Sequence, residues 1–291
     1  MGLAIGDALG VPAEFKSRGT FPKVTEMIGG GPFYLKPGEW TDDTSMTLCL
    51  GKSLIDKSGF DAKDQMDKYW NWVEAGYMSS NGRMFDIGDT TSEALCRYRK
   101  TGNPRAGVED SKYSGNGSLM RLAPIPLFYY PDEYKCEQYA ILSSTTTHAS
   151  EDCLASCALF SRMICRALAG GSKGMILNDL YHDKWPSMSD KAYNIAKGAY
   201  QNKTEDEIKS TGYVIHTLEA ALWSFYTTET FEGGLIRAVN LGDDADTTGA
   251  VYGQLAGAYY GMNAIPQRWL DKIVLPDIII EVADGLYQRK I

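Results

Sequence analysis

Several features that would point to membranes, disulfides or general polyanion binding are missing from this chain. In its 291 residues no run approaches the ~18 uninterrupted apolar positions of a membrane span. The start, MGLAIGDALGVPAEFKSRG, lacks the basic opening and long apolar stretch of a secretory signal, so a cytoplasmic location is the expectation. Positive charge is in the minority. The 29 Lys and Arg against 37 Asp and Glu leave a net charge of -8, which argues against general binding to nucleic acid or to an anionic membrane. No CxxC pair occurs among Cys49, Cys96, Cys136, Cys153, Cys157 and Cys165, and Cys153 with Cys157 has the spacing of neighbours on one helix face. Buried free thiols are expected. Only His148, His182 and His216 carry imidazoles, and no Ser-His-Asp or Cys-His constellation is visible, which disfavours covalent nucleophilic catalysis.

What the chain does have is a helical period. EDCLASCALFSRMICRALAG (151–170), TLEAALWSFYTTE (217–229) and SMTLCLGKSLID (45–56) repeat apolar residues at three- and four-residue spacing, while alternating polarity is scarce. Gly/Pro-rich breaks at 29–43, 100–107 and 113–126 read as loops between helices. With 44% hydrophobic and 23% charged residues and no biased linker, a single mainly α-helical domain over 1–291 is expected. The polar segment 172–210 reads as peripheral helices and loops, and the last thirty residues as helical closure of the core.

Two glycine series stand out. Gly2, Gly6 and Gly10 recur every four residues, and so do Gly249, Gly253, Gly257 and Gly261. Each interior glycine costs a helix roughly 0.5–1 kcal/mol relative to alanine, so repetition implies a face that another backbone approaches closely. These two helices are expected at the centre of the protein, where they can pack against each other and bring the loop after the first helix near the acidic stretch at 243–246.

Acidic motifs adjoin both series. WTDDTSM (40–46) holds Thr41, Asp42, Asp43 and Thr44, and GDDADTT (242–248) repeats the pattern. Helix capping explains one such residue per motif, rarely three. Oxygen ligands without neighbouring His or Cys suit hard divalent ions, magnesium or manganese before zinc. Asp42, Asp43, Asp244 and Asp246, with Glu14 of GVPAEF, would bring about five negative charges together, which a pair of divalent cations nearly offsets. Two ions roughly 3.5–4 Å apart form a catalytic clamp for vicinal oxygens and water.

GLAIGDALGVPAEF, WTDDTSM, GNGSLMR, THAS, GYVIHTLEAALW and NLGDDADTTGAVYGQLAGAYYG, in this order from residue 2 to 261, together resemble the ADP-ribosylglycohydrolase family, in particular its dinitrogenase reductase-activating glycohydrolase branch. The resemblance implies a compact, all-α, orthogonal bundle of a dozen or more helices with a two-metal site. It also implies hydrolysis of the bond joining ADP-ribose to a protein side chain, arginine in that branch. Carried over, the ligands of the two Mg2+ or Mn2+ ions are Glu14, Thr41, Asp42, Asp43, Asp244, Asp246 and Thr247. Asp243, where many relatives have glycine, stays outside the set.

Breaking an N-glycosidic bond at ribose C1 builds positive charge on the sugar, and the leaving guanidine needs a proton. Glu14, ahead of Asp43, is the candidate proton relay. Asp86 in MFDIGDTT is the candidate partner for a guanidinium, with Asp89 as rival; the other reading of either acid is the N-cap of the following helix. Gly115, Asn116, Gly117 and Ser118 offer backbone N–H groups at an expected helix start for the diphosphate. Arg121 could meet a phosphate or tie loops together by internal salt bridges. The resemblance puts His148 near the ribose or adenosine and Tyr213 on the adenine, against core packing as the ordinary role of each. His182 and His216 are read as ordinary histidines. The expected partners are a mono-ADP-ribosylated protein as substrate and ADP-ribose as product, on a monomer. A non-catalytic binding or immunity protein on the same scaffold is the alternative, although such a protein has no physical need for five converging carboxylates.

Overall fold

The apolar opening of the chain becomes the axis of the molecule. In the computed structural model, which describes residues 1–180 and 188–288, α1 (Gly2–Gly10) is a helix whose nine residues are all buried. It is followed by α2 (Asp42–Lys57), α3 (Ala62–Ala75), α4 (Asp89–Thr101), α5 (Pro124–Tyr129), α6 (Glu133–Ser144), α7 (Glu151–Leu168) and α8 (Lys173–Leu177). Then come α9 (Asp190–Ala196), α10 (Val214–Tyr226), α11 (Phe231–Val239), α12 (Ala245–Tyr260), α13 (Gln267–Leu270) and α14 (Pro276–Gln288). The fold is all-α, as expected. Among the described residues β-pairing is confined to isolated bridges. Three of them, Lys16 with Asp243, Val108 with His148 and Gly115 with Tyr213, knit loops that will reappear at the functional site.

Local sequence explains where the helices begin and end. Ser150 caps α7 by accepting from the Cys153 N–H, Glu151 and Asp152 occupy its first turn, and Arg166 its last, each placed to favour the helix dipole. Asp61 caps α3 in the same way, and Gly76, at φ +64°, ends it in a left-handed turn.

The central contact is the one the glycines announce. α1 lies against α12, and a Cβ added at Gly2 would stand 2.4 Å from the Gly253 carbonyl oxygen, at Gly6 2.0 Å from that of Gly249, and at Gly10 2.3 Å from the Asp246 Cα. The clash is reciprocal, since a Cβ at Gly249 or Gly253 would meet the Gly6 or Gly2 carbonyl. Gly261 does not belong to this face. It follows α12 at φ +76° with nothing within 4 Å, so it is there to end the helix. Around this axis α2, α7, α10 and α11 contribute the core, with Trp40, Trp72 and Trp269 fully buried.

Three expectations need correction. The 172–210 segment is not merely peripheral, because Ile176, Leu177, Leu180, Ile195, Tyr200 and Ile208 all join the core. Cys96 is exposed, whereas the other five thiols are buried. The stretch from Ser114 to Leu122 is a chain of turns, and the next helix starts only at Pro124, so no helix start underlies Gly115–Ser118. His182 lies outside the described residues.

The α1–α12 contact leaves no room for a methyl group in its middle and ample room at its end. Gly6→Ala is expected to destabilise the protein by about 2–3 kcal/mol, because only backbone could yield. Gly257→Ala, whose Cβ would meet its nearest neighbour at an ordinary 3.4 Å, should leave stability unchanged or slightly raised. Thermal melts of the two variants compare them directly.

Candidate functional site

Where α1 runs past the N-terminal ends of α2 and α12, a cavity of about 340 Å³ opens. Glu14, Asp42, Asp86, Asp244, Asp246 and Thr247 line one part of it, and Gly115, Asn116, Gly117, His148 and Gly212 another. Among the described residues no lysine or arginine lines it. Asp42 and Asp43 occupy the first turn of α2, Asp244 is the N-cap of α12 and Asp246 sits in its first turn, so two helix dipoles point their positive ends at the acids. That accounts for anions at helix starts. It does not account for this many of them in one place.

Their geometry is that of an anion-rich centre. One carboxylate oxygen each from Glu14, Asp86 and Asp246 lies within 4.8 Å of the others. Thr41 and Asp43, fully buried, lie behind the lining residues. The Thr41 hydroxyl is 3.1 Å from Asp7 Oδ1, 3.2 Å from Asp43 Oδ2 and 3.3 Å from Asp246 Oδ2, joining positions 205 residues apart. A hydroxyl has one proton, so it can donate to only one of the three. Thr247 Oγ1 reaches Asp43 Oδ2 at 3.3 Å. Glu14 Oε2, Asp43 Oδ1 and Asp246 Oδ1 are buried without a hydrogen-bond partner among the described residues. Orphaned acceptors of this kind carry a full desolvation cost unless protons or cations meet them.

Proton affinities follow. Burial, then the charges of Asp86 and Asp244, pushes Glu14 up to about 9. Burial, then Asp244 and Asp7, pushes Asp86 up to about 8, and a hydrogen bond joins Glu14 and Asp86. Asp42, Asp43 and Asp246 rise well above the carboxylate range, from burial first and neighbouring acids next. Burial raises Asp244 too, opposed by the Asn116 side chain, whose Nδ2 donates to Asp244 Oδ2 at 2.7 Å. The oxygen-only donor set, the lack of a neutralising side chain and the unpartnered acceptors all fit hard divalent cations.

Asp7 is the residue the sequence reading missed. It is fully buried in α1 and accepts from the Thr41 N–H at 2.9 Å, the Thr44 N–H at 3.1 Å and the Thr44 hydroxyl at 2.6 Å. It therefore caps α2 from another helix, and Thr41 makes no side-chain cap of its own. Burial lifts it to about 6 against those bonds. The signal was available as the one charged residue in the apolar run GLAIGDALG.

Other placements differ from a sequence-level picture. Asp86, the expected partner for a guanidinium, lies among the other acids of the cavity, at φ +60°. Asp89 is exposed and is the first residue of α4, while Gly88 holds the N-cap position. Asp243 takes φ +51°, a conformation glycine adopts freely, and its backbone pairs with Phe15 and Lys16. Gly115 and Gly117 make room for an imidazole: a Cβ at Gly117 would lie 2.8 Å from His148 Cε1. The Asn116 N–H already donates to the Gly212 carbonyl at 3.0 Å, and Ser118 bonds Ser144 away from the cavity. Among the described residues Arg121 lines no part of the cavity and makes no salt bridge. It is fully buried over the Tyr69 ring at 4.7 Å and donates to Thr147 Oγ1 at 2.7 Å. Thr147, with Arg121 as its donor, has its own proton free for His148 Nδ1 at 2.7 Å, which leaves Nε2–H as the donor edge. Burial and Arg121 hold His148 down at about 3, so it is neutral. Tyr213 lies one residue beyond Gly212, outside the cavity lining, with its hydroxyl on Asp152 and its ring edge-on to His216, 4.9 Å between centroids. His216 is half-buried and bonded to Thr211, an ordinary histidine as expected.

An all-α scaffold that gathers Asp and Thr from two helix starts defines a class of buried carboxylate centre, and comparison with known proteins gives the family. The sequence profile of the ADP-ribosylglycohydrolase family matches residues 1–291, and the chain belongs to that family. It is 40% identical over 287 residues to ADP-ribosylarginine hydrolase Tri1 of Serratia proteamaculans, covering 99% of this chain and 77% of that one. It is 34% identical over 282 residues to the ADP-ribosyl-(dinitrogen reductase) glycohydrolase of Rhodospirillum rubrum, covering 94% and 88%. A solved structure described as an ADP-ribosylglycohydrolase-related protein complex superposes with a TM-score of 0.88 at 43% identity, over 100% of this chain and 95% of that one.

In metal-free protein the acids bind protons more tightly folded than unfolded, so stability should fall as pH rises from the ordinary carboxylate range through about 6 (Asp7) and 8 (Asp86) to 9 (Glu14). Millimolar Mg2+ or Mn2+ should restore the melting temperature at pH 8. A melt that rises with pH in chelator, or ignores both ions, would contradict this account of the cluster.

Proposed function

We propose that this protein is a hydrolase that removes mono-ADP-ribose from modified protein side chains, arginine foremost, by cleaving the N-glycosidic bond at ribose C1 with two divalent cations, Mg2+ or Mn2+, in the acid cluster. The observation that carries this reading is the convergence of Glu14, Asp42, Asp86, Asp244 and Asp246 on one cavity, with Asp7 and Asp43 buried next to them and, among the described residues, no lysine or arginine in the lining. The relatives named for ADP-ribosylarginine and ADP-ribosyl-(dinitrogen reductase) support the substrate class.

Glu14, Thr41, Asp42, Asp43, Asp244, Asp246 and Thr247 would hold the ions. When bound, these supply the positive charge that orients the ribose 2′ and 3′ hydroxyls and makes a water more acidic. The residues do the rest. Glu14, open to the cavity, takes the proton of the attacking water as its oxygen bonds to C1, and a proton reaches the guanidine nitrogen as the C1–N bond breaks. Asp86, hydrogen-bonded to Glu14, is placed to hold the guanidinium and to pass that proton. Neighbouring carboxylates stabilise the charge that develops on the sugar. His148 presents a neutral N–H donor to the ligand, and the Gly115–Gly117 turn gives it a backbone wall with little bulk. Tyr213 provides an aromatic ring beyond Gly212 for the adenine.

Release of ADP-ribose from arginine-modified and serine-modified protein, with Mg2+ or Mn2+ and then with chelator, tests the reading. Turnover on the arginine substrate that stops on chelation is expected. Metal binding without release from either substrate would favour a non-catalytic binding protein instead. Asp246→Ala should lose metal by calorimetry and lower kcat by roughly 10²–10³-fold or more; an unchanged kcat would remove Asp246 from the site.

A further inference from the structure

Phe15 is expensive where it stands. It follows Glu14 directly, lines the mouth of the cavity and is 68% exposed. Its backbone is left-handed, at φ +56°, a conformation that bulky residues avoid and glycine accepts freely. The surroundings do not let it relax. Its N–H donates to the Asp243 carbonyl at 2.6 Å, the Lys16 carbonyl accepts from the Asp243 N–H at 2.8 Å, and the Lys16 N–H is held by Ala13 at 3.1 Å. The strain is over-determined, as at sites where conformation serves function. The fold itself asks only for a residue able to take that turn, which glycine would do without strain. What phenylalanine adds is an exposed apolar ring at the acidic end of the cavity, next to Glu14. Ile87, beside Asp86, lines the same cavity and adds a further apolar side chain.

Resting on the activity proposed above, we propose that Phe15 is a specificity-determining residue that contacts the polypeptide carrying the ADP-ribosyl group, not the ADP-ribose. Two observations point to that occupant. The cavity, at about 340 Å³, is near the lower limit for a small-molecule pocket, so a protein attached to the ligand must stay outside and meet the lip. Phe15 also adjoins the acidic end through Glu14, where Asp86 is placed to hold the guanidinium of the modified side chain, so the flanking polypeptide passes that end of the cavity. The ring would cover the aliphatic stem of the modified residue and its neighbours, the kind of rigid aromatic contact that anchors protein recognition.

Three measurements test this with wild type, Phe15→Ala and Phe15→Leu: steady-state kinetics on ADP-ribosylated protein, kinetics on free ADP-ribosylarginine, and direct binding of ADP-ribose and of modified protein. For Phe15→Ala, KM and the dissociation constant for modified protein should rise ~10-fold, as expected for losing part of a buried phenyl ring. The small substrate, ADP-ribose binding and kcat should stay within about twofold, and Phe15→Leu should recover most of the loss. Phe15→Gly should melt higher than Phe15→Ala, because the strain is relieved, yet handle modified protein no better. Equal losses on both substrates would place the ring on ADP-ribose and overturn the proposal, as would no loss on either. A wild type that hydrolyses neither substrate would refute the activity, and the binding of modified protein to wild type and Phe15→Ala would still decide the role of Phe15.

Discussion

The close approach of two glycine faces is the constraint on which the rest of the structure depends. α1 and α12 touch backbone to backbone at Gly2, Gly6 and Gly10, a distance that no side chain permits. The last of these contacts is made with the Cα of Asp246. Packing in the core and position in the site are therefore one and the same contact. Because helices are stiff, fixing Gly10 against Asp246 also fixes Asp7 one turn earlier and Glu14 just beyond. Helix propensity is sacrificed at each glycine, and what is gained is the registry of acids drawn from the two ends of the chain.

That registry assembles charges that would separate if they could. Asp7, Glu14, Asp42, Asp43, Asp86, Asp244 and Asp246 are buried or half-buried together; burial raises every one of them toward protonation, and repulsion from neighbouring acids adds to it for Glu14, Asp42, Asp43, Asp86 and Asp246. Two helix N-termini and the hydroxyls of Thr41 and Thr247 soften the repulsion without removing it. A cluster of this kind costs folding stability, as is usual at sites where function and stability pull apart. Asp7 shows how the fold holds it in place: it takes the first amides and hydroxyls of α2 and so orients the acids of that helix from across the core.

On the opposite wall the logic is steric and neutral. Arg121 lies out of reach of the cavity and acts through Thr147 on His148, which remains uncharged because burial and that arginine both oppose its protonation. Gly115 and Gly117 are small because the imidazole lies against them, not because the backbone turns there with positive φ. An acidic end and an uncharged donor-bearing end within one cavity give a ligand two chemically distinct halves to match.

Sequence by itself determined the all-α class, the glycine faces, the identity of most of the acids and the family, since periodicity, four-residue glycine spacing and six ordered motifs are written in residue type and local order. It marked Asp7 as the lone charge of an apolar helix but could not give its task, because a helix cap supplied by a different helix leaves no local signature at Thr41. Nor could it say that Asn116 would spend its amide on Asp244, that Arg121 would turn inward to Tyr69, or that the Gly115 turn precedes no helix. Those outcomes are settled by which groups compete for each hydrogen bond once the chain is packed, and partners more than a hundred residues apart meet only in three dimensions. The strained ring of Phe15 at the lip belongs to the same class: a left-handed φ is imposed there by the bridge to Asp243, and only tertiary structure makes that bridge.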